Sequence, residues 1–215
     1  MTRIAAASSK FDWGKRASAV FILFGTTAIT LPAQTFATLH SFDVTDGDYP
    51  KAALVQGADG NLYGTTSDRD GNVGTVFNIT LNGALTTLHT FCTHRGCGFE
   101  PVAALVQAAN GDFYGTTQSG GGPNGGGTIF KITPSGTLTT LYNFCAHTGC
   151  PDGFDVVAGL VQATNGDFYG TTQYGGANGY GTVFKITPSG TLTQLLPSKR
   201  MHGRRLPYCR ADPGP

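Results

Sequence analysis

Apolar and polar residues alternate over short distances along this chain. In Thr75-Val76-Phe77-Asn78-Ile79, Thr128-Ile129-Phe130-Lys131-Ile132 and Thr182-Val183-Phe184-Lys185-Ile186, phenylalanine and the last isoleucine share one face and a polar residue takes the other. That period of two predicts half-buried β-strands. Runs of about five β-branched and aromatic residues recur between turn signals, and none is long enough for a helix, so four short strands are predicted in each of three segments. The first hairpin of each segment turns at Asp59-Gly60, Asn110-Gly111 or Asn165-Gly166, where a two-residue turn of the hairpin hand needs positive φ and glycine supplies it. The second turns at Asn82-Gly83, Thr133-Pro134-Ser135-Gly136 or Thr187-Pro188-Ser189-Gly190. In the last two, proline presets the first central residue and glycine closes the turn.

The three segments are copies of one unit. Ala53-Leu54-Val55-Gln56 through Leu62-Tyr63-Gly64-Thr65-Thr66 recurs from Ala104-Leu105-Val106-Gln107 to Phe113-Tyr114-Gly115-Thr116-Thr117, and again from Gly159-Leu160-Val161-Gln162 to Phe168-Tyr169-Gly170-Thr171-Thr172. The offsets at the tyrosine are 51 and 55 residues, because loops change length while strands do not. A four-stranded unit of about 50 residues cannot bury both its faces alone, so such units stack face to face, and the architecture that does this radially is the β-propeller. The predicted fold class is all-β, a β-propeller-like repeat of three four-stranded blades forming an incomplete ring over residues 38–196, with units at about 38–86, 87–139 and 140–196. Superhelical stacks and sandwiches are the alternatives, but sandwiches lack strict repeats and solenoid units are usually shorter. With two outer faces bare, self-association through open blade faces is expected.

Asp59 to Thr66, the loop Tyr174-Gly175-Gly176-Ala177-Asn178-Gly179 and the stretch Gly181 to Gly190 resemble, nearly letter for letter, the repeat of the bacterial GloVer tandem-repeat proteins, also described as choice-of-anchor proteins. The resemblance covers residues 38–193. It implies an exported, surface-displayed repeat protein that normally has more repeats and a variable carboxy-terminal sorting or anchoring segment. It implies no established activity. Against that pattern, three units without an anchor are expected here.

Charge divides the chain into three unlike parts. The formal net charge of +1 is the sum of +3 over residues 1–37, −6 over 38–196 and +4 over 197–215. Nucleic acid is not an expected partner, because the repeat region is acidic and its few cations are scattered. At the amino end, Arg3, Lys10, Lys15 and Arg16 precede an apolar run from Ala17 to Leu31. That layout predicts a secretory signal peptide over residues 1–37, cleaved between Ala33 and Ala37. The run is shorter than the roughly 20 residues that cross a bilayer, so no permanent membrane span is expected. The predicted location is secreted or cell surface.

Export makes the cysteines informative. Cys92 and Cys97 bracket a short loop, and Cys145 and Cys150 bracket the same loop one repeat later; in an oxidising compartment such pairs form disulfides. Zinc is the rival reading, since His94 and His147 follow the first cysteine of each pair, but a fourth ligand is missing. Where the later units have cysteines the first has Asp43, Asp46 and Asp48. Three carboxylates so close could coordinate calcium, the other reading being a solvated acidic turn. No other cofactor is expected. The loops 120–127 and 174–180 carry Asn124, Tyr174, Asn178 and Tyr180, which would meet a sugar by stacking and hydrogen bonding; plain connection is the bland alternative.

Nearly every polar residue recurs at the same place in successive units, which favours structure over catalysis. Asp112 and Asp167 are read as turn residues, Lys131 and Lys185 as covers of a sheet face, and the five histidines offer no triad. Two function classes follow. One is a noncatalytic surface propeller that binds or displays a glycan or protein through its rim loops. The other is a carbohydrate-active enzyme, a glycosidase or lyase, working at a central channel, for which a pair of carboxylates at a set separation would be needed.

After Leu196 the glycine-threonine texture stops. Residues 197–215 read as an unstructured basic tail, and also as a shifted reading frame. Met201-His202 is written ATG-CAY, which one base later reads as cysteine. With permissible codons from Lys199 onward, the shifted frame spells a sequence colinear with Gly149-Cys150-Pro151-Asp152-Gly153 through Gln162-Ala163. Cys209 is then an accident of translation. Sequencing the DNA past the stop codon is expected to show further repeats in the other frame, and intergenic sequence there would refute the shift.

Overall fold

The computed structural model describes residues 36–67, 74–92 and 96–197, without the side chains of 196 and 197. The expected signal peptide, all but its last two residues, lies outside them, as do His94 and the tail from 198 onward. Among the described residues there is no helix. The strands are β1 (Val55–Gln56), β2 (Leu62–Thr66), β3 (Thr75–Ile79), β4 (Leu85–Thr90), β5 (Gly98–Phe99), β6 (Val106–Gln107), β7 (Phe113–Thr117), β8 (Ser119–Gly120), β9 (Thr128–Ile132), β10 (Leu138–Asn143), β11 (Val161–Gln162), β12 (Phe168–Thr172), β13 (Thr182–Ile186) and β14 (Leu192–Pro197). They form three four-stranded sheets, β1-β2-β3-β4, β6-β7-β9-β10 and β11-β12-β13-β14, and a two-stranded sheet, β5-β8. Every strand pairing is antiparallel, and no sheet closes on itself.

The turns fall at the residues the sequence marks, but the first hairpins are three-residue loops (58–60, 109–111 and 164–166) and not the two-residue turns expected, because only the glycine takes positive φ. Each is closed by the N–H of Gly57, Ala108 or Ala163 on the carbonyl of Asn61, Asp112 or Asp167 at 2.8–2.9 Å. Gly60, Gly111 and Gly166 have φ of 84°, 87° and 86° at the first hairpins. Between the second and third long strands of each sheet the register sets a glycine opposite a phenylalanine, Gly64 with Phe77, Gly115 with Phe130 and Gly170 with Phe184. A Cβ on these glycines would stand 2.6, 2.5 and 2.5 Å from the tip of the facing ring. The Tyr-Gly-Thr-Thr motif therefore needs glycine for space, so that the ring lies flat across its neighbour strand. At the end of the same strands, buried hydroxyls pair across the sheet, Thr66 with Thr75 at 2.7 Å, Thr117 with Thr128 at 2.8 Å and Thr172 with Thr182 at 3.0 Å. Each pair satisfies polar groups that burial would otherwise leave unbonded.

The cores lie between consecutive sheets. Tyr63 and Val76 of the first sheet, and Phe91 just past its last strand, pack with Leu105, Phe113, Phe130 and Ile132 of the second. One repeat on, Tyr114, Ile129 and Phe144 pack with Leu160, Phe168, Phe184 and Ile186. At both joints the tyrosine stacks on the next sheet, Tyr63 on Phe113 at 4.0 Å and Tyr114 on Phe168 at 4.1 Å. A phenylalanine just past the fourth strand meets the following sheet edge-on or tilted, Phe91 to Phe130 at 5.3 Å and Phe144 to Phe184 at 5.1 Å. Hydroxyls of Thr65 and Thr116 donate across the joints to the carbonyls of Ala103 and Ala158 at 3.4 and 3.2 Å. At these two joints each sheet face is thus covered by a unit of the same kind.

Gly115→Ala is expected to lower stability by ~1–3 kcal/mol, because a methyl forced against Phe130 has nowhere to go. Urea unfolding measures it. Phe130→Leu in the same chain clears the ring and should recover part of the loss.

Candidate functional site

Loops at one end of the second and third sheets share a backbone and differ in side chains. In the second unit Gly121 N–H donates to the Cys97 carbonyl at 2.9 Å, Gly125 N–H to Gly122 O at 3.1 Å and Gly127 N–H to Gly120 O at 2.9 Å. In the third, Gly176 donates to Cys150 O at 3.0 Å, Gly179 to Gly176 O at 3.2 Å and Gly181 to Gly175 O at 3.0 Å. These bonds match one for one, although the earlier loop is a residue longer. These matched bonds run main chain to main chain, and the Thr117 and Thr172 hydroxyls add a bond each, to the carbonyls of Ser119 and Tyr174 at 3.1 and 3.0 Å.

The side chains differ. Ser119 and Gly126 of the second unit stand where Tyr174 and Tyr180 stand in the third. Tyr174 is half-buried, its ring 5.4 Å from that of Phe154, and its hydroxyl accepts from the Gln173 amide at 3.1 Å. Tyr180 is exposed and Asn178 partly buried. Asn124 is exposed, and its amide donates to the Cys145 carbonyl at 2.9 Å, tying its loop to the cysteine loop that follows. Tyr174, Asn178 and Tyr180 thus share one loop, and Asn124 sits on the loop of the preceding unit.

The cysteines brace these loops. Cys92 and Cys97 stand at disulfide distance with Cα atoms 6.0 Å apart, and Cys145 and Cys150 do so at 4.2 Å. Asp152 holds the second cysteine loop from beneath, accepting the Cys145 N–H at 3.1 Å and the Tyr142 hydroxyl at 3.0 Å. Glu100 and Asp155, with φ of 59° and 64°, sit in the left-handed region. Their carbonyls accept from Gln118 and Gln173 at 2.9 and 3.0 Å. Sequence reasoning missed Asp152 and this acidic pair, although Gly98-Phe99-Glu100 and Gly153-Phe154-Asp155 repeat in plain sight.

In the first unit, Asp43 accepts from Thr45 N–H at 2.8 Å, and Asp46 faces His40 at 2.6 Å and accepts from the Asp43 N–H at 2.9 Å. The Thr45 bonds hold the Asp43 carboxyl below its usual range. Asp43 and Asp46 therefore meet each other's loop atoms, and among the described residues no three histidine, cysteine or acidic side chains converge as a metal cage. The hairpin carboxylates are engaged too. Asp59 accepts from Tyr63 at 2.8 Å, which lowers its pKa, while burial raises that of Tyr63. Asp112 and Asp167 lie 3.7 and 3.2 Å from Lys131 and Lys185.

Among known proteins, the family model described as the Gloeobacter/Verrucomicrobia repeat matches residues 24–205. No curated protein matches the chain.

Burial first, then the charge and hydrogen bond of Asp152, push the Tyr142 phenol up to about 12 from its ordinary 10.0. The neutral phenol is the form the fold favours. Its contribution to stability is whole below pH 10.0 and is lost as pH rises through about 12. Denaturant unfolding across that window should show the wild type losing more stability than Tyr142→Phe.

Proposed function

The chain belongs to the Gloeobacter/Verrucomicrobia repeat family, and on that premise we propose that it is an exported, noncatalytic repeat protein, a surface β-propeller-like array that binds carbohydrate through its rim loops. Each four-stranded meander serves as a blade, and three blades make part of a ring. The observation that carries the binding reading is the pair of matched loops, of which the third alone bears Tyr174 and Tyr180. Both tyrosines break the repeat on a backbone course that the second unit shares, and Tyr174 is set in place by the Phe154 ring. Two tyrosines with an asparagine between them suit a sugar, whose C–H face stacks on a ring and whose hydroxyls pair with an amide.

Export is supported by the basic and apolar leader sequence and by two cysteine pairs at disulfide distance, which persist in oxidising compartments. The noncatalytic reading is supported by the carboxylates. Asp59, Asp112, Asp152 and Asp167 each have a hydrogen-bonding or ionic partner within the fold, and the hairpin ones recur from unit to unit.

A glycan array and a set of soluble polysaccharides, each incubated with the full chain, test this. Retention on glycans is expected, with Tyr174→Ala and Tyr180→Ala each weakening it about tenfold, equivalent to ~1.4 kcal/mol. Release of sugar would overturn the noncatalytic reading, and an array that retains nothing would overturn the ligand class.

A further inference from the structure

The two ends of the repeat region expose opposite halves of one joint. On the third sheet Val183 is 39% exposed, whereas its equivalents Val76 and Ile129 are at 0%. Tyr169 has no following sheet to stack on among the described residues, and is only partly buried where Tyr63 and Tyr114 are fully so. Val161 and Leu195 are exposed beside it. On the first sheet Leu54 is 48% exposed, whereas Leu105 and Leu160 are at 5% and 6%. The internal joints show what covers each half, since they set the Tyr63 and Val76 face against the Leu105 and Phe113 face, and the Tyr114 and Ile129 face against the Leu160 and Phe168 face.

A second observation concerns residues 38–42. Thr38-Leu39-His40-Ser41-Phe42 matches Thr87-Leu88-His89-Thr90-Phe91, the end of a fourth strand and the phenylalanine beyond it. The segment stands to the first sheet as those residues stand to the second. Phe42 meets Phe77 at 5.1 Å, as Phe91 meets Phe130 at 5.3 Å. Gly83 approaches the Leu39 carbonyl as Gly136 approaches that of Leu88. Yet 38–42 belongs to no strand. It has the sequence and the contacts of the end of a fourth strand, without three partner strands among the described residues of its own chain. In the third sheet the matching place belongs to β14, where Leu196, Pro197 and Ser198 replace the histidine or tyrosine, the threonine or asparagine, and the phenylalanine of the repeat.

We propose that copies of this chain join head to tail, the first sheet of one docking on the open face of the third sheet of the next, with residues 38–42 pairing along β13 in place of β14. Both claimants fit the same edge, and 38–42 is the one that brings the phenylalanine the joint uses. The contact is heterologous, so each copy keeps one free face of each kind until a ring closes. The assembly uses neither rim-loop tyrosine and stands or fails apart from carbohydrate binding.

Sedimentation of the full chain over a wide concentration range should show mass rising above that of a monomer. Val183→Glu and Leu54→Glu lie on surfaces exposed within one chain, so circular dichroism should be unchanged while each variant alone sediments as a monomer. Mixed, they retain one good face each and should form a one-to-one pair. Chains carrying His40→Cys, mixed with chains carrying Val183→Cys, should form a 40–183 disulfide between copies, mapped by peptide mass spectrometry, because Val76 with His89 and Ile129 with Tyr142 are the equivalent cross-strand partners. A monomeric wild type would overturn the proposal, as would assembly indifferent to Val183→Glu, a mixture that does not pair, or assembly without the 40–183 link.

Discussion

The stacking of a tyrosine on a ring of the following sheet, with a phenylalanine closing the other side, sets the terms for the remaining structure. Tyr63 on Phe113 and Tyr114 on Phe168 lie at nearly the same distance and tilt, and the two clusters of buried side chains among the described residues both lie at such joints. Aromatic rings bury much apolar area for few rotatable bonds and hold an offset geometry. Sheets joined this way take the same relation at every step. Stability therefore accrues by nearest neighbours, and an interior unit is held on both faces while a terminal one is held on one.

Much of the odd composition follows from that joint. A phenylalanine ring can lie across the sheet only where its cross-strand partner lacks a Cβ, which accounts for Gly64, Gly115 and Gly170. Threonine lines the strand ends because its hydroxyl pairs with another across the sheet while its methyl packs, so the joint excludes water without stranding a donor. Lysine appears where its amine can reach the aspartate of the neighbouring hairpin turn, in Lys185 with Asp167. A chain with few charges is sufficient because the charges it keeps are placed against turns.

The strands, their turns and the repeat were legible in the sequence, since glycine at a positive-φ turn and alternation along Thr128 to Ile132 are local properties. The cysteine pairing was legible for the same reason, five residues being a short reach. The location of the cores between sheets could be anticipated from faces that no single sheet covers, but the partners in each joint could not. Nothing within one unit says that Tyr63 meets Phe113. The small sheet of β5 and β8 escaped notice because Gly98 and Ser119 carry no strand signal, and the part of Asp152 escaped because an aspartate after a cysteine reads as another turn. The loop tyrosines were legible as departures from the repeat, whereas the identity of a ligand depends on shape at the loop surface and has no sequence signature of that kind.

The cysteine loops reach the glycine loops through carbonyl oxygens, those of Cys97 and Cys150, and a carbonyl is the same whatever residue bears it. Loop form is then insulated from most substitutions at positions such as 119 and 174. Substitutions there leave the scaffold undisturbed, and an array of such units presents a row of similar frames carrying unlike contents.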